Sequence, residues 1–86
     1  MRVLLVEDNR RLSKSLQMTL QEDGYVVDAA YDGLEGEELA TLAEYDVILL
    51  DVMLPEKDGL AVCQALRRKH VSTPILMLTA RDALQD

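Results

Sequence analysis

Three runs of four consecutive apolar residues, at positions 3–6, 47–50 and 75–78, limit most strongly how this chain can fold. Strands that are buried on both faces of a parallel sheet have such continuous apolar stretches, whereas strands with one solvated face alternate apolar and polar residues. A more mixed run at residues 25–30 is typical of a strand at a sheet edge. The sequence therefore predicts four strands, three of them buried on both faces.

The segments between these strands have the apolar spacing of helices. Leucines recur at every fourth position of residues 10–22 and form one apolar stripe, with Asn9 or Asp8 as the cap and Gly24 at the end. The second helix is predicted to begin at residues 32–33 and to turn four side chains inward: Leu34, Leu39, Leu42 and Ala43. The third helix is predicted to follow a capping Asp58 and to bury Val62, Cys63 and Leu66.

Strands and helices thus alternate in the order βαβαβαβ. Helices of about 10 to 15 residues between strands predict right-handed crossovers and an α/β fold, with a parallel sheet covered by helices on both faces. We expect the 86 residues to form one domain, residues 1–86, because the chain is too short for two.

Composition narrows the function classes. The net charge of −7 argues against direct nucleic-acid binding by this chain, because contacts to phosphates need clustered lysines and arginines. Cys63 is the single cysteine, so it cannot form an internal disulfide and is interpreted as a buried thiol. No stretch resembles a membrane span or a signal peptide, so we expect no membrane contact and a cytoplasmic location.

Polar residues follow three of the predicted strands. Glu7 and Asp8 come after the first strand, Asp51 after the third, and Thr79 after the fourth. Ligands of open parallel sheets bind at the carboxyl ends of the strands, so Glu7, Asp8 and Asp51 converge if the first strand is central, and Thr79 supplies a hydroxyl at the neighbouring strand end. Clustered carboxylates suit Mg²⁺, and an aspartate beside Mg²⁺ can accept a phosphoryl group. The pattern predicts a site for Mg²⁺-assisted phosphoryl transfer, although Asp8 also fits a helix cap and Thr79 a plain turn hydroxyl.

Three motifs carry a resemblance to a known family. They are VLLVEDN at residues 3–9, ILLDVMLPEKDG at residues 48–59 and PILMLTARD at residues 74–82. On these motifs the whole chain resembles a bacterial two-component response-regulator receiver domain, and it is most similar to the subgroup with winged-helix DNA-binding effectors. The resemblance implies a three-layer, flavodoxin-like, doubly wound parallel sheet with strand order 2-1-3-4.

The resemblance also implies roles for the site residues. Asp51 would be the phosphoacceptor that receives its phosphoryl group from a sensor histidine kinase, and the domain would then switch an effector that controls transcription. Asp8 and Asp51 would bind Mg²⁺ directly, Glu7 would assist through water, and Met53 would supply its backbone carbonyl. Thr79 would hydrogen-bond the phosphoryl group. The implied protein is a phosphoacceptor and not a turnover enzyme.

The chain departs from the family pattern at two points. Family members continue into a fifth strand, which ends in a lysine that pairs with the phosphoryl group, and into a fifth helix. Such a unit needs about 30 more residues. We therefore expect a receiver truncated before its fifth strand and helix. The second departure is Glu37, at a helix position that is often apolar in the family, and it is interpreted as solvated.

Two alternative functions stay open. The apolar fourth strand would be a sheet edge, and such an edge invites pairing with another chain. The chain would then be a phosphorylation-impaired module that forms a homodimer or a swapped dimer. A weaker alternative is an aspartate-nucleophile phosphohydrolase. Those enzymes need a second acid two residues after the nucleophile, and that position is Met53 here.

Overall fold

The computed structural model describes residues 1–78, which form four strands and three helices in the predicted order. The elements are β1 (Arg2–Val6), α1 (Arg10–Glu22), β2 (Val26–Ala30), α2 (Gly33–Leu42), β3 (Val47–Asp51), α3 (Gly59–Arg68) and β4 (Ile75–Leu78). A short polar side chain begins each helix by accepting a hydrogen bond from an amide of the first turn. These caps are Asn9, Asp32 and Asp58.

The strands form one parallel sheet in the order β2-β1-β3-β4, which confirms the predicted order and the doubly wound, flavodoxin-like architecture. β1 is central, and its last residue, Val6, lies opposite both Ala30 of β2 and Leu50 of β3. Helices α1 and α2 both pack against β1 and β2, and α2 also packs against α3. The carboxyl ends of β1 and β3 therefore lie side by side at the same end of the sheet.

The hydrophobic core surrounds the two central strands. Leu4 and Leu5 of β1, Leu50 of β3 and Leu66 of α3 are all completely buried. The outer strand β4 differs, because Leu76 is 58% exposed. The prediction that residues 75–78 are buried on both faces is therefore wrong for the part of the chain that the structure describes, since nothing within it covers the side chain of Leu76.

Helix α2 faces the sheet with its smallest residues. The prediction that Leu34 and Leu42 face inward is wrong, since these residues are 53% and 77% exposed. The buried positions are instead small ones, including Gly36 and Ala40. A Cβ atom on Gly36 would lie 2.8 Å from Cγ1 of Val6, so α2 approaches β1 too closely for a leucine to fit between them.

Two smaller expectations concern burial. Cys63 is half-buried and packs against the core, so the thiol is less buried than predicted. No helix within residues 1–78 has the length and apolar character needed to cross a lipid bilayer.

Candidate functional site

Three of the predicted site residues meet at the carboxyl end of the sheet. Glu7 and Asp8 leave β1 and Asp51 ends β3, and these strands are neighbours. One carboxylate oxygen from each residue lies within 4.8 Å of the other two. The proximity follows from the topology, because neighbouring parallel strands end side by side at the same end of the sheet.

Burial differs among the three acids. Glu7 is 5% exposed, Asp51 is half-buried, and Asp8 is exposed. Burial is the main reason that the pKa of Glu7 is raised above its ordinary value, and the nearby charges of Asp51 and Asp8 raise it further. A hydrogen bond from the Asn9 N–H to Oε2 of Glu7, at 3.0 Å, acts in the opposite direction. Glu7 is therefore the acid of the cluster whose charge is disfavoured both by burial and by its neighbours.

The loop after β3 is built around Asp51. The Met53 N–H donates to Oδ1 of Asp51 at 3.2 Å, which holds the carboxylate against the start of the loop. At the other end of the loop, the Gly59 N–H donates to the carbonyl of Val52 at 2.8 Å. A Cβ on Gly59 would lie 2.4 Å from the Asp51 carbonyl oxygen, so α3 can begin this close to the acid only with glycine.

The donor chemistry of the cluster fits a hard cation. All three side chains offer carboxylate oxygens, which Mg²⁺ prefers, and the cluster contains neither histidine nor cysteine, which would favour zinc. A divalent cation would also neutralise the repulsion that raises the pKa of Glu7. Met53 lies two residues after Asp51 and contacts it through its N–H, and its role as a carbonyl ligand stays a prediction. Thr79 lies outside the described residues.

Sequence reasoning missed the contacts that support this loop. Glu37 is not solvated as predicted, because its side chain is only 14% exposed and forms ion pairs with Lys57 of the loop and Lys69 after α3. Gly33 was also missed as a loop contact, since its N–H donates to the carbonyl of Pro55 at 3.3 Å. The acid at an ordinarily apolar helix position was the only signal in the sequence, and it does not reveal its partners.

Comparison with known proteins places this geometry in a family. The family model for the response regulator receiver domain matches residues 3–86. The transcriptional activator protein IrlR of Burkholderia pseudomallei is 49% identical over 86 residues, which cover 100% of this chain and 37% of IrlR. The chain spans 38% of the length of another relative, the transcriptional regulatory protein DltR of Streptococcus agalactiae, with 42% identity over all 86 residues.

A solved structure with the same fold contains Mg²⁺ and BeF. It is that of the response regulator TrrA of Thermotoga maritima, which has a TM-score of 0.86 and 35% identity, and the match covers 92% of this chain and 69% of TrrA. The complex with Mg²⁺ and BeF is a property of TrrA, and this chain shares with TrrA its fold and part of its sequence.

Proposed function

This chain belongs to the response regulator receiver domain family, and we propose that it accepts a phosphoryl group on Asp51 in a Mg²⁺-dependent transfer from a sensor histidine kinase. The observation that carries the proposal is the convergence of Glu7, Asp8 and Asp51 within 4.8 Å. The complex of its relative TrrA with Mg²⁺ and BeF supports the choice of cation and of ligand class.

The proposed chemistry assigns one task to each residue. A carboxylate oxygen of Asp51 forms a bond to phosphorus, while the P–N bond of the phosphohistidine breaks and the imidazole leaves with the bonding pair. Asp8, Asp51 and the carbonyl of Met53 would hold Mg²⁺ directly, and Glu7 would hold it through water. Bound Mg²⁺ supplies positive charge near the transferring oxygens. Thr79 donates its hydroxyl to the phosphoryl group.

The product defines the kind of protein. The phosphoryl group stays on Asp51 as a mixed anhydride, so the domain acts as a switch and not as a turnover enzyme. The names of its relatives IrlR and DltR, both transcriptional regulators, support an effector that acts in transcription. We extend the proposal to a cytoplasmic location, which an unpaired cysteine favours.

Labelling with a small phosphodonor tests the assignment. The full chain is incubated with phosphoramidate in Mg²⁺ and then with excess EDTA, and its intact mass is measured. We expect the mass gain of one phosphoryl group, lost on treatment with hydroxylamine and absent in Asp51→Asn. Asp58→Asn is the matched control, because asparagine caps a helix as well as aspartate does. Labelling that survives in Asp51→Asn would overturn the assignment.

A second candidate function is self-association through β4. It is favoured by one observation, the 58% exposure of Leu76 on the outer strand of the described sheet. Apolar outer strands pair readily with other chains. Sedimentation of the 86-residue chain distinguishes the cases, since a single species of 9.6 kDa at all concentrations contradicts a homodimer or a swapped dimer.

A further inference from the structure

The loop between β3 and α3 is pressed against the start of helix α2. The carbonyl of Pro55 accepts two backbone N–H groups, from Lys57 at 2.7 Å and from Gly33 at 3.3 Å. A Cβ atom on Gly33 would lie 1.7 Å from the carbonyl oxygen of Lys57. The loop and the helix therefore touch backbone to backbone, with no room for a side chain between them.

This part of the loop has a strained conformation. Glu56 has a φ of 70°, which lies in the region that favours glycine. With the hydrogen bond from Lys57 to Pro55, Glu56 forms the centre of a γ-turn, and γ-turns with positive φ are rare and strained. Strained residues of this kind persist only where the surrounding structure holds them. The loop therefore needs a restraint outside itself.

Glu37 provides a restraint of this kind from helix α2. Its Oε1 lies 2.6 Å from Nζ of Lys57, and its Oε2 lies 2.8 Å from Nζ of Lys69. The Glu37 side chain is 14% exposed and that of Lys57 is 27% exposed, so solvent screens this pair less than a surface pair. Lys57 foremost, and then Lys69, hold the pKa of Glu37 below its usual range, which keeps the glutamate charged.

We propose that Glu37 is a positioning residue for the Mg²⁺ site, which it orients through Lys57 and the loop. The loop is fixed at one end by Asp51 and at the other by Gly59, and the pair between Glu37 and Lys57 fixes it between them. A loop held at three points presents the Met53 carbonyl in one direction. This inference rests on the proposed function, because it takes Met53 as a Mg²⁺ ligand.

Mg²⁺ titration of the full chain tests the inference. The chain is labelled with ¹⁵N, and the amide shifts of Asn9 and Met53 report binding, since these amides donate to Glu7 and Asp51. Glu37→Gln and Lys57→Met should each weaken Mg²⁺ binding about three- to tenfold, below the 10- to 100-fold of residues that contact a metal ligand directly. The amide of Lys57 should also exchange faster with solvent in both variants.

The two substitutions separate positioning from simple electrostatics. Removing the negative charge of Glu37 weakens the attraction for Mg²⁺ through space, but removing the positive charge of Lys57 strengthens it. Positioning predicts that both variants bind more weakly. It also predicts that the double variant binds no more weakly than either single one, because both remove the same contact. Tighter or unchanged binding by Lys57→Met, or losses that add in the double variant, would overturn the inference.

Lys69→Met is the matched control. It removes the other partner of Glu37 and the same charge as Lys57→Met, but leaves the contact with the loop. Its Mg²⁺ affinity should stay within about twofold of the original chain, and a loss as large as that of Lys57→Met would refute positioning through the loop. Thermal unfolding confirms that each variant is folded. If the original chain does not bind Mg²⁺, the proposed function fails. If the original chain binds Mg²⁺ and Glu37→Gln and Lys57→Met bind it equally well, only the inference fails.

Discussion

Asp51→Asn should stabilise the protein in the absence of Mg²⁺. The carboxylate oxygens of Asp51, Glu7 and Asp8 lie within 4.8 Å of one another. The substitution removes the charge of Asp51 from this cluster but keeps an Oδ1 atom that can accept the hydrogen bond from the Met53 N–H. It should therefore relieve repulsion without breaking a contact.

The size of the effect follows from the distances. Two negative charges 4.8 Å apart repel by about 0.9 kcal/mol in bulk water and by about 3.5 kcal/mol at an effective dielectric constant of about 20. Asp8 is exposed and Asp51 is half-buried, so solvent screens the charges and each repulsion with Asp51 lies near the lower value. We therefore expect Asp51→Asn to raise the free energy of unfolding by about 1–2 kcal/mol.

Thermal unfolding followed by circular dichroism measures this effect. In EDTA, the unfolding midpoint of Asp51→Asn should rise by about 5–15 °C, since 1 kcal/mol corresponds to about 4–8 °C in a domain of this size. With Mg²⁺ at about 100 times its dissociation constant, the original chain should gain about 2.7 kcal/mol, and Asp51→Asn should gain less because it has lost a ligand. In Mg²⁺, the difference between the two unfolding midpoints should therefore become smaller or change sign.

The matched control is Asp23→Asn, an exposed acid at the end of α1. It makes the same chemical change outside the cluster. In EDTA its unfolding midpoint should stay close to that of the original chain, and Mg²⁺ should raise the two midpoints equally. If Asp51→Asn in EDTA unfolds at or below the temperature of the original chain, the three carboxylates do not repel as this geometry requires. The account of the site as a cluster that needs a cation would then be wrong.

Two further substitutions test other contacts. Gly33→Ala should cost about 3 kcal/mol in chemical denaturation, because its Cβ would lie 1.7 Å from the Lys57 carbonyl oxygen, whereas Gly24→Ala meets no atom within 4 Å and should cost about 1 kcal/mol for its positive φ alone. Tyr45→Phe should raise the pKa of Asp28, measured by carboxyl NMR, because the Tyr45 hydroxyl is the main group that lowers it. Burial, and after it the same hydrogen bond, raise the pKa of Tyr45 to about 12. The unfolding free energy of the original chain should therefore decline between about pH 10 and pH 12, and that of Tyr45→Phe should decline less.

The sequence predicted those features that depend on local pattern and on strand order. The apolar runs located β1 and β3, and the rule for the carboxyl ends of parallel strands then brought Asp51 and Glu7 to one edge. The end of α1 at Glu22 also followed from its leucine spacing and from Gly24. Neither inference required any knowledge of how far apart the layers lie.

Features that depend on distances between layers were not predictable. A leucine pattern favours an inward face for Leu34 and Leu42, but α2 lies so close to Val6 that only small residues such as Gly36 fit there. Glu37 was misread for a related reason. Its two lysines come from separate parts of the chain, and their meeting depends on the packing of α2 against α3.

Two opposing forces act on the segment that follows β3. Repulsion among the carboxylates favours any movement that takes Asp51 away from Glu7. The strained turn at Glu56 also favours a change in the loop conformation. The close contact of Gly33 and the pair between Glu37 and Lys57 resist both movements from the neighbouring helix. These restraints keep the acids together even though their charges destabilise the folded chain. A cation that enters such a site gains the relief of that repulsion without having to gather its ligands, which is how preorganisation strengthens binding.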